Sequence, residues 1–153
     1  MPLYVVQHGK SLAKEQDSEK GLSAEGIQET ERIAEVARGY AVSVTRIVHS
    51  GKKRARQTAE IFAAALAPET GIEKQAGMGP LDDVHPFADR LPLNENLMLV
   101  GHLPFLERLI GLLVCVDPDR MVFKLQNSGI VCLDQAPQID HPVIRWALMP
   151  HIG

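Results

Sequence analysis

Leu97-Met98-Leu99-Val100-Gly101-His102-Leu103-Pro104 decides how this 153-residue chain folds. Its four consecutive apolar side chains, bounded by polar residues, suit a strand buried on both faces, as in a parallel sheet covered by helices on each side. Pro104 fits the first turn of the helix that follows, which the apolar pattern carries to about Val116. Gly101-His102 stands at the junction, so a polar ring is placed where a buried strand ends.

Working outward from that unit, short apolar runs alternate with longer helical patterns, the order expected of an α/β domain. Residues 3–6 read as the first strand. Ser23 is a good N-cap for a helix over 24–38, with Ile27, Ala34 and Ala37 on a common face and Gly39 closing it. A second strand at 47–49 leads into a helix over 53–67 that places Ala55, Ala59, Phe62 and Leu66 on one side before Pro68 ends it. A weak third strand follows at 72–75. The 77–93 stretch, punctuated by Pro80, Pro86 and Pro92, reads as a loop holding one short helix from near His85, and it is expected to form a lid or rim over a site. Residues 130–133 and 143–148 are the last strands and are close enough in sequence to include an antiparallel pair. The expected architecture is a three-layer α/β/α sandwich with a mostly parallel central sheet, one domain over 1–153.

The formal net charge is -3 and the basic residues form no long run, so bulk charge gives no reason to expect nucleic-acid binding. Lys52, Lys53, Arg54 and Arg56 make one local basic cluster, whose two lysines read as a solvated helix start. The N-terminal residues lack a basic segment followed by a long apolar one, and a cytoplasmic location is expected. No membrane association is expected either, because even the apolar run after His102 is interrupted by Glu107 and Arg108. Two cysteines, Cys115 and Cys132, lie in apolar runs and read as free, buried thiols rather than a disulfide. The six histidines show no paired spacing of a metal site, so neither a metal nor another cofactor is expected.

Three local patterns share one layout, an apolar strand followed by a polar turn: Val5-Val6-Gln7-His8-Gly9, Ile47-Val48-His49-Ser50-Gly51 with Arg54, and Leu99-Val100-Gly101-His102. Ligands of open α/β sheets bind at the carboxyl ends of parallel strands, where His8, Arg54 and His102 can meet. Helices starting near Lys53 and Pro104 would turn their free N–H groups toward the same place, and Arg54 adds a planar, permanently charged fork. Such a pocket suits an anion, and the fork of Arg54 matches phosphate oxygens. His49 reads as a packed strand residue, and His141 and His151 as structural residues of the tail.

Gln7-His8-Gly9 resembles the Arg-His-Gly signature of the histidine phosphatase superfamily, also called phosphoglycerate mutase-like. Leu22-Ser23 with Gly26 is similar to its Leu-Thr/Ser-x-x-Gly helix start. Ser50 with Arg54, Ala55, Gln57 and Thr58 is similar to its Ser-x-x-x-Arg-Ala-x-Gln-Thr segment, and Val100-Gly101-His102-Leu103-Pro104 to its second-histidine motif. The four motifs occur in family order. The short length and the Gly-His-Leu-Pro form are most similar to the SixA branch, the phosphohistidine phosphatases. The resemblance implies a phosphoglycerate mutase-like fold, His8 as the nucleophile that becomes phosphohistidine, Arg54 as a ligand of the non-bridging oxygens, and His102 as the second histidine at the phosphoryl group.

Two departures accompany the resemblance. Gln7 occupies the place of the family arginine, so it is expected to bind phosphate through its amide without charge. Lys10 is a candidate for restoring part of that charge. The second departure concerns the general acid, for which Asp82, in Pro80-Leu81-Asp82-Asp83, is the candidate from the middle loop; its other reading is a turn or helix cap. A site poor in acid fits a leaving imidazole better than an alkoxide, because the conjugate acid of imidazole has a pKa near ~6.5. The expected substrate is therefore phosphohistidine in a phosphorelay or phosphotransfer protein. Two other readings stand beside it: a phosphatase for a small phosphate ester, and a weakly active or non-catalytic phosphoprotein-binding module marked by Gln7. A mutase fits least, since reorienting a bisphosphate calls for a larger cap.

Overall fold

The computed structural model describes residues 1–92 and 94–152. Six strands form one sheet in the order β3-β2-β4-β1-β5-β6, from β1 (Leu3–Gln7), β2 (Arg46–His49), β3 (Ile72–Lys74), β4 (Leu97–Gly101), β5 (Ile130–Gln135) and β6 (Pro142–Leu148). β1 to β4 are parallel. β5 runs antiparallel to β1 and pairs antiparallel with β6. The sheet is mixed and mostly parallel, as the sequence pattern indicates.

Alternation along the central strands divides the core in two. Val6, Ile47, Met98, Val100 and Ile130 face α1 (Ala24–Gly39) and α2 (Lys53–Leu66), meeting Ile33, Ala37, Ala59 and Phe62. Val5, Val48, Leu97, Leu99 and Val131 face the other way, toward α3 (Val84–Asp89) and α4 (Phe105–Cys115), meeting Phe87, Phe105, Leu106 and Leu109. Every residue of β4 is buried, which is why its sequence shows no polar alternation. Full burial of a Phe or Leu side chain contributes roughly 1.5–3 kcal/mol, so these two layers hold the strand ends in fixed register.

Local boundaries follow the caps. The Ser23 hydroxyl accepts from Gly26 N and starts α1. Helix α1 continues through Gly39 and is capped by Tyr40, one residue beyond the expected stop. Ala67 takes the left-handed conformation that ends α2 before Pro68, and Pro104 is the N-cap of α4, one place ahead of its first helical residue.

Two expectations change. Ile27 is 37% exposed, because α1 turns Gly26, Thr30, Ile33 and Ala37 inward and leaves Ile27 at the rim facing α2. Cys115 is exposed at the last position of α4, whereas Cys132 is buried in β5; both are free. The 77–93 segment, expected as a lid or rim and with its last residue Leu93 outside the described residues, is anchored by Met78, Val84 and Phe87, which are buried, and Phe87 meets Phe105 edge-on at 5.4 Å.

Candidate active site at the carboxyl ends of β1, β2 and β4

Pairing of Gln7 with Gly101 and of His49 with Val100 brings three strand ends level. The residues just past them, His8, Ser50 and His102, consequently share one edge of the sheet. His8 N donates to Gly101 O at 3.0 Å, and Asn127 Nδ2 donates to His8 O at 2.8 Å. Both polar groups of the His8 backbone are thus tied to neighbouring segments, which fixes the root of its side chain.

The next peptide is tied to α2. Gly9 N donates to Thr58 Oγ1 at 2.9 Å, and the Thr58 hydroxyl donates to Arg54 O at 2.8 Å. One buried hydroxyl therefore sets the spacing between the His8 turn and the helix turn that carries Arg54. Helix α1 crosses this turn closely enough that a Cβ on Gly26 would lie 2.1 Å from Lys10 O. Glycine is required there by the approach of two backbones.

The two imidazoles face each other with ring centroids 5.0 Å apart and planes tilted by 52°. His8 Nδ1 is 2.7 Å from Gly9 O and, as the only acceptor there is the carbonyl, must carry the hydrogen. That leaves Nε2 unprotonated, with its lone pair as an acceptor. Arg54 Nε donates to His8 Nε2 at 3.3 Å, so the guanidinium borders the same nitrogen. Burial pushes His8 down to about 4; the bond to Gly9 O opposes this, while the charges of Arg54 and Lys20 reinforce it. Burial, followed by the charges of His8, Arg54 and Lys52, pushes His102 down to about 3. Both rings are neutral at pH 7. His102 is 1% exposed, its Nε2 lies 2.5 Å from Ser50 Oγ, and its Nδ1 has no hydrogen-bond partner among the described residues.

His8, Arg54 and His102 are therefore brought together. Gln7 ends β1 beside them, and its buried Oε1 likewise lacks a partner among the described residues. Asp82 is exposed and accepts from Gly79 N at 2.7 Å within its own turn; no described hydrogen bond or ion pair joins it to His8, Arg54 or His102. Lys10 Nζ turns to α1, 2.8 Å from Glu25 and 3.7 Å from Glu29, rather than toward Gln7. His49 is buried and its Nδ1 accepts from Gly51 N, a structural role. Among the described residues no group of three or more His, Cys, Asp or Glu side chains is placed to hold a metal ion, and no helix is long and apolar enough to cross a membrane.

Three contributors carry no assignment from sequence reasoning alone. Ser50 and Thr58 stand inside the Ser-x-x-x-Arg-Ala-x-Gln-Thr block, where their hydroxyls were available signals. Asn127 follows no motif, and only the bridge between Gln7 and Asn127 delivers it to His8.

A family model of the histidine phosphatase superfamily (branch 1) matches residues 3–78, the stretch that carries His8 and Arg54. The chain belongs to the histidine phosphatase superfamily. The chain is 24% identical over 156 residues to the phosphohistidine phosphatase SixA of Escherichia coli (strain K12), covering 98% of this chain and 94% of that protein. Its fold matches the protein histidine phosphatase SixA in complex with tungstate at a TM-score of 0.84, with 23% identity over 98% of this chain and 97% of the other. A phosphoserine phosphatase from Entamoeba histolytica, in complex with 3-phosphoglyceric acid, matches at 0.71 with 18% identity and 95% coverage of both chains. At these identities the structural likenesses establish the fold of the chain.

Proposed function

We propose that this chain hydrolyses a phosphoryl group through a covalent phosphohistidine on His8, and that its substrate is phosphohistidine in a phosphorelay or phosphotransfer protein. The observation that carries the reading is the tautomer of His8: with Nδ1–H held by Gly9 O, a neutral Nε2 lies against the Arg54 guanidinium. That is the arrangement a nitrogen nucleophile needs beside a charge that receives phosphoryl oxygens.

In the first step the His8 Nε2 lone pair forms a bond to phosphorus as the bond to the substrate nitrogen breaks. The substrate ring, carrying a solvent-derived proton on its other nitrogen, leaves as neutral imidazole with the electron pair of the broken bond. Water then attacks the phosphorus, the bond to His8 Nε2 breaks, one proton passes to solvent, and inorganic phosphate departs. Arg54 neutralises the non-bridging oxygens through both steps, and the Ser50 hydroxyl with the His102 ring supplies neutral hydrogen bonds opposite His8. Asp82, outside this group, is not required for an imidazole leaving group of pKa near ~6.5. The exposed Lys52 and Arg56 beside the pocket fit an acidic protein surface. Likeness to SixA supports the same substrate class.

A small phosphate ester is the second reading, favoured by the likeness to phosphoserine phosphatase. Turnover of a phosphohistidine protein is to be measured beside a panel of phosphate monoesters, with acid-labile labelling of the parent and of His8→Asn. The expected result is faster phosphohistidine turnover and a label that depends on His8. Preference for the monoesters removes the first substrate class, and no His8-dependent label makes the chain a phosphoprotein binder.

A further inference from the structure

We propose that Lys20 is the second phosphate-binding cation of this pocket, supplying the charge that Gln7 lacks; the proposal rests on the phosphoryl-transfer reading of His8.

The need arises at Gln7 and Lys10. Gln7 is neutral, and Lys10 is committed to the carboxylates of Glu25 and Glu29. Arg54 is then the one cation hydrogen-bonded to His8 among the described residues, although a phosphoryl group carries close to two negative charges near neutral pH.

The connection between β1 and α1 brings another lysine to that edge. Leu12 N donates to Gly21 O at 2.7 Å and folds the segment back on itself. Leu22 N donates to Gln57 Oε1 at 2.7 Å, and Lys53 Nζ meets Asp17 Oδ2 at 2.8 Å, so the segment is clipped to the first two turns of α2 at two points. A Cβ on Gly21 would lie 2.8 Å from Lys53 Cε and 3.0 Å from Gln57 Oε1. Gly21 therefore rests against Lys53, the residue before Arg54, and Gln57, one helical turn further along α2. Lys20 is one Cα step away, about 3.8 Å, and carries an ammonium on a flexible four-carbon stem.

Its backbone is held in an unusual state. Lys20 has φ of +53°, a left-handed conformation that a lysine adopts rarely. Asp17 enforces it: its backbone carbonyl accepts from Lys20 N at 2.9 Å, and its carboxylate accepts from Glu19 N and Gly21 N. The Lys53 ammonium and those two N–H groups hold that carboxyl down at about 2, so the clip is charged at any ordinary pH. Strained backbone that its surroundings over-determine gathers at functional positions. Lys20 is also exposed and makes no ion pair with a described carboxylate, unlike Lys10, Lys53 and Lys124. Its charge is felt at His8, alongside that of Arg54.

The test is calorimetric binding of orthovanadate and inorganic phosphate to the parent, Lys20→Gln, Lys20→Arg and the nearby exposed Lys14→Gln, each with and without Gln7→Arg. Loss of one charge-assisted contact predicts about ten-fold weaker binding for Lys20→Gln. Lys20→Arg should stay within about two-fold and Lys14→Gln should be unchanged. The loss should shrink to about three-fold or less beside Gln7→Arg, and also in ~1 M salt, where exposed charges are screened. Lys20→Gln binding as tightly as the parent, or an equal loss in Lys14→Gln, overturns the assignment. An undiminished loss beside Gln7→Arg overturns the link to Gln7. Labelling of His8 in the parent reports separately on catalysis: weakened binding in Lys20→Gln without any His8 label leaves Lys20 as a ligand and removes the hydrolytic reading instead.

Discussion

Acidification from pH 7 to pH 5 probes the neutrality of His8 directly. A histidine of ordinary pKa, near ~6.5, would be only about 3% neutral at pH 5. With the value pushed down to about 4, mainly by burial, the ring stays about 90% neutral at the same pH. The structure thus predicts a roughly thirty-fold difference in free Nε2 at pH 5. The imidazole C–H resonances, assigned by comparing the parent with His8→Asn, should show His8 titrating close to 4. Phosphoryl capture by His8 should accordingly lose little to protonation of that ring between pH 8 and pH 5. Stability carries the same signature with a definite sign. Between about 6.5 and about 4 the unfolded histidine binds a proton that the folded one refuses, so stability falls as pH falls through that window. The full shift corresponds to roughly 3 kcal/mol, less what solvent at the pocket mouth screens. Urea unfolding at pH 7 and pH 4.5 measures it, and His8→Asn should reduce the slope. A His8 midpoint near 6.5 would refute the buried, Gly9-anchored tautomer and the mechanism built on it.

Gln7→Arg should raise kcat/KM on a phosphorylated substrate, by up to about ten-fold where Lys20 is also Gln, the gap between a charged and a neutral hydrogen bond; no gain in rate even beside Lys20→Gln would show that the missing charge is of no consequence. Thr58→Val keeps the shape of a fully buried side chain but leaves Gly9 N–H without its acceptor. It should cost about 1–3 kcal/mol in urea unfolding and slow turnover through the His8 turn, whereas a loss under ~0.5 kcal/mol would mean the contact positions nothing. Gly26→Ala would improve helix propensity by up to ~1 kcal/mol, yet its Cβ would sit 2.1 Å from Lys10 O. Net destabilisation of more than about 1 kcal/mol is expected by thermal melting, and a stabilised variant would contradict the close crossing.

The sequence carried the sheet because its central strand is covered on both sides, and such a strand must be apolar throughout, as residues 97–100 are. It also carried the meeting of His8, Arg54 and His102, since parallel strands align their carboxyl ends and polar residues there have one place to go. Asn127 was hidden because its role depends on a carbonyl that only the tertiary fold brings near it. Ile27 was misplaced for a related reason: apolar spacing finds the stripe of α1 but not its rotation, which the contact between Gly26 and Lys10 sets. The exposure of Cys115 reflects its place in the final turn of α4, where an apolar run continues after burial has ended.

The position of β1 has a consequence for synthesis. It leaves the ribosome before both of its partners, β4 on one side and β5 on the other. At typical elongation rates of ~5–20 residues per second, the roughly ninety residues separating Leu3 from Leu97 take on the order of 5–20 seconds to make. Throughout that interval Tyr4, Val5 and Val6 have neither of their eventual neighbours, and an unpaired apolar strand invites pairing with other chains. β5 arrives later still, together with Asn127 just ahead of it. The segment that bears the nucleophile is thus made early and enclosed late, so growing chains pass through a period of aggregation risk before they acquire an organised active site.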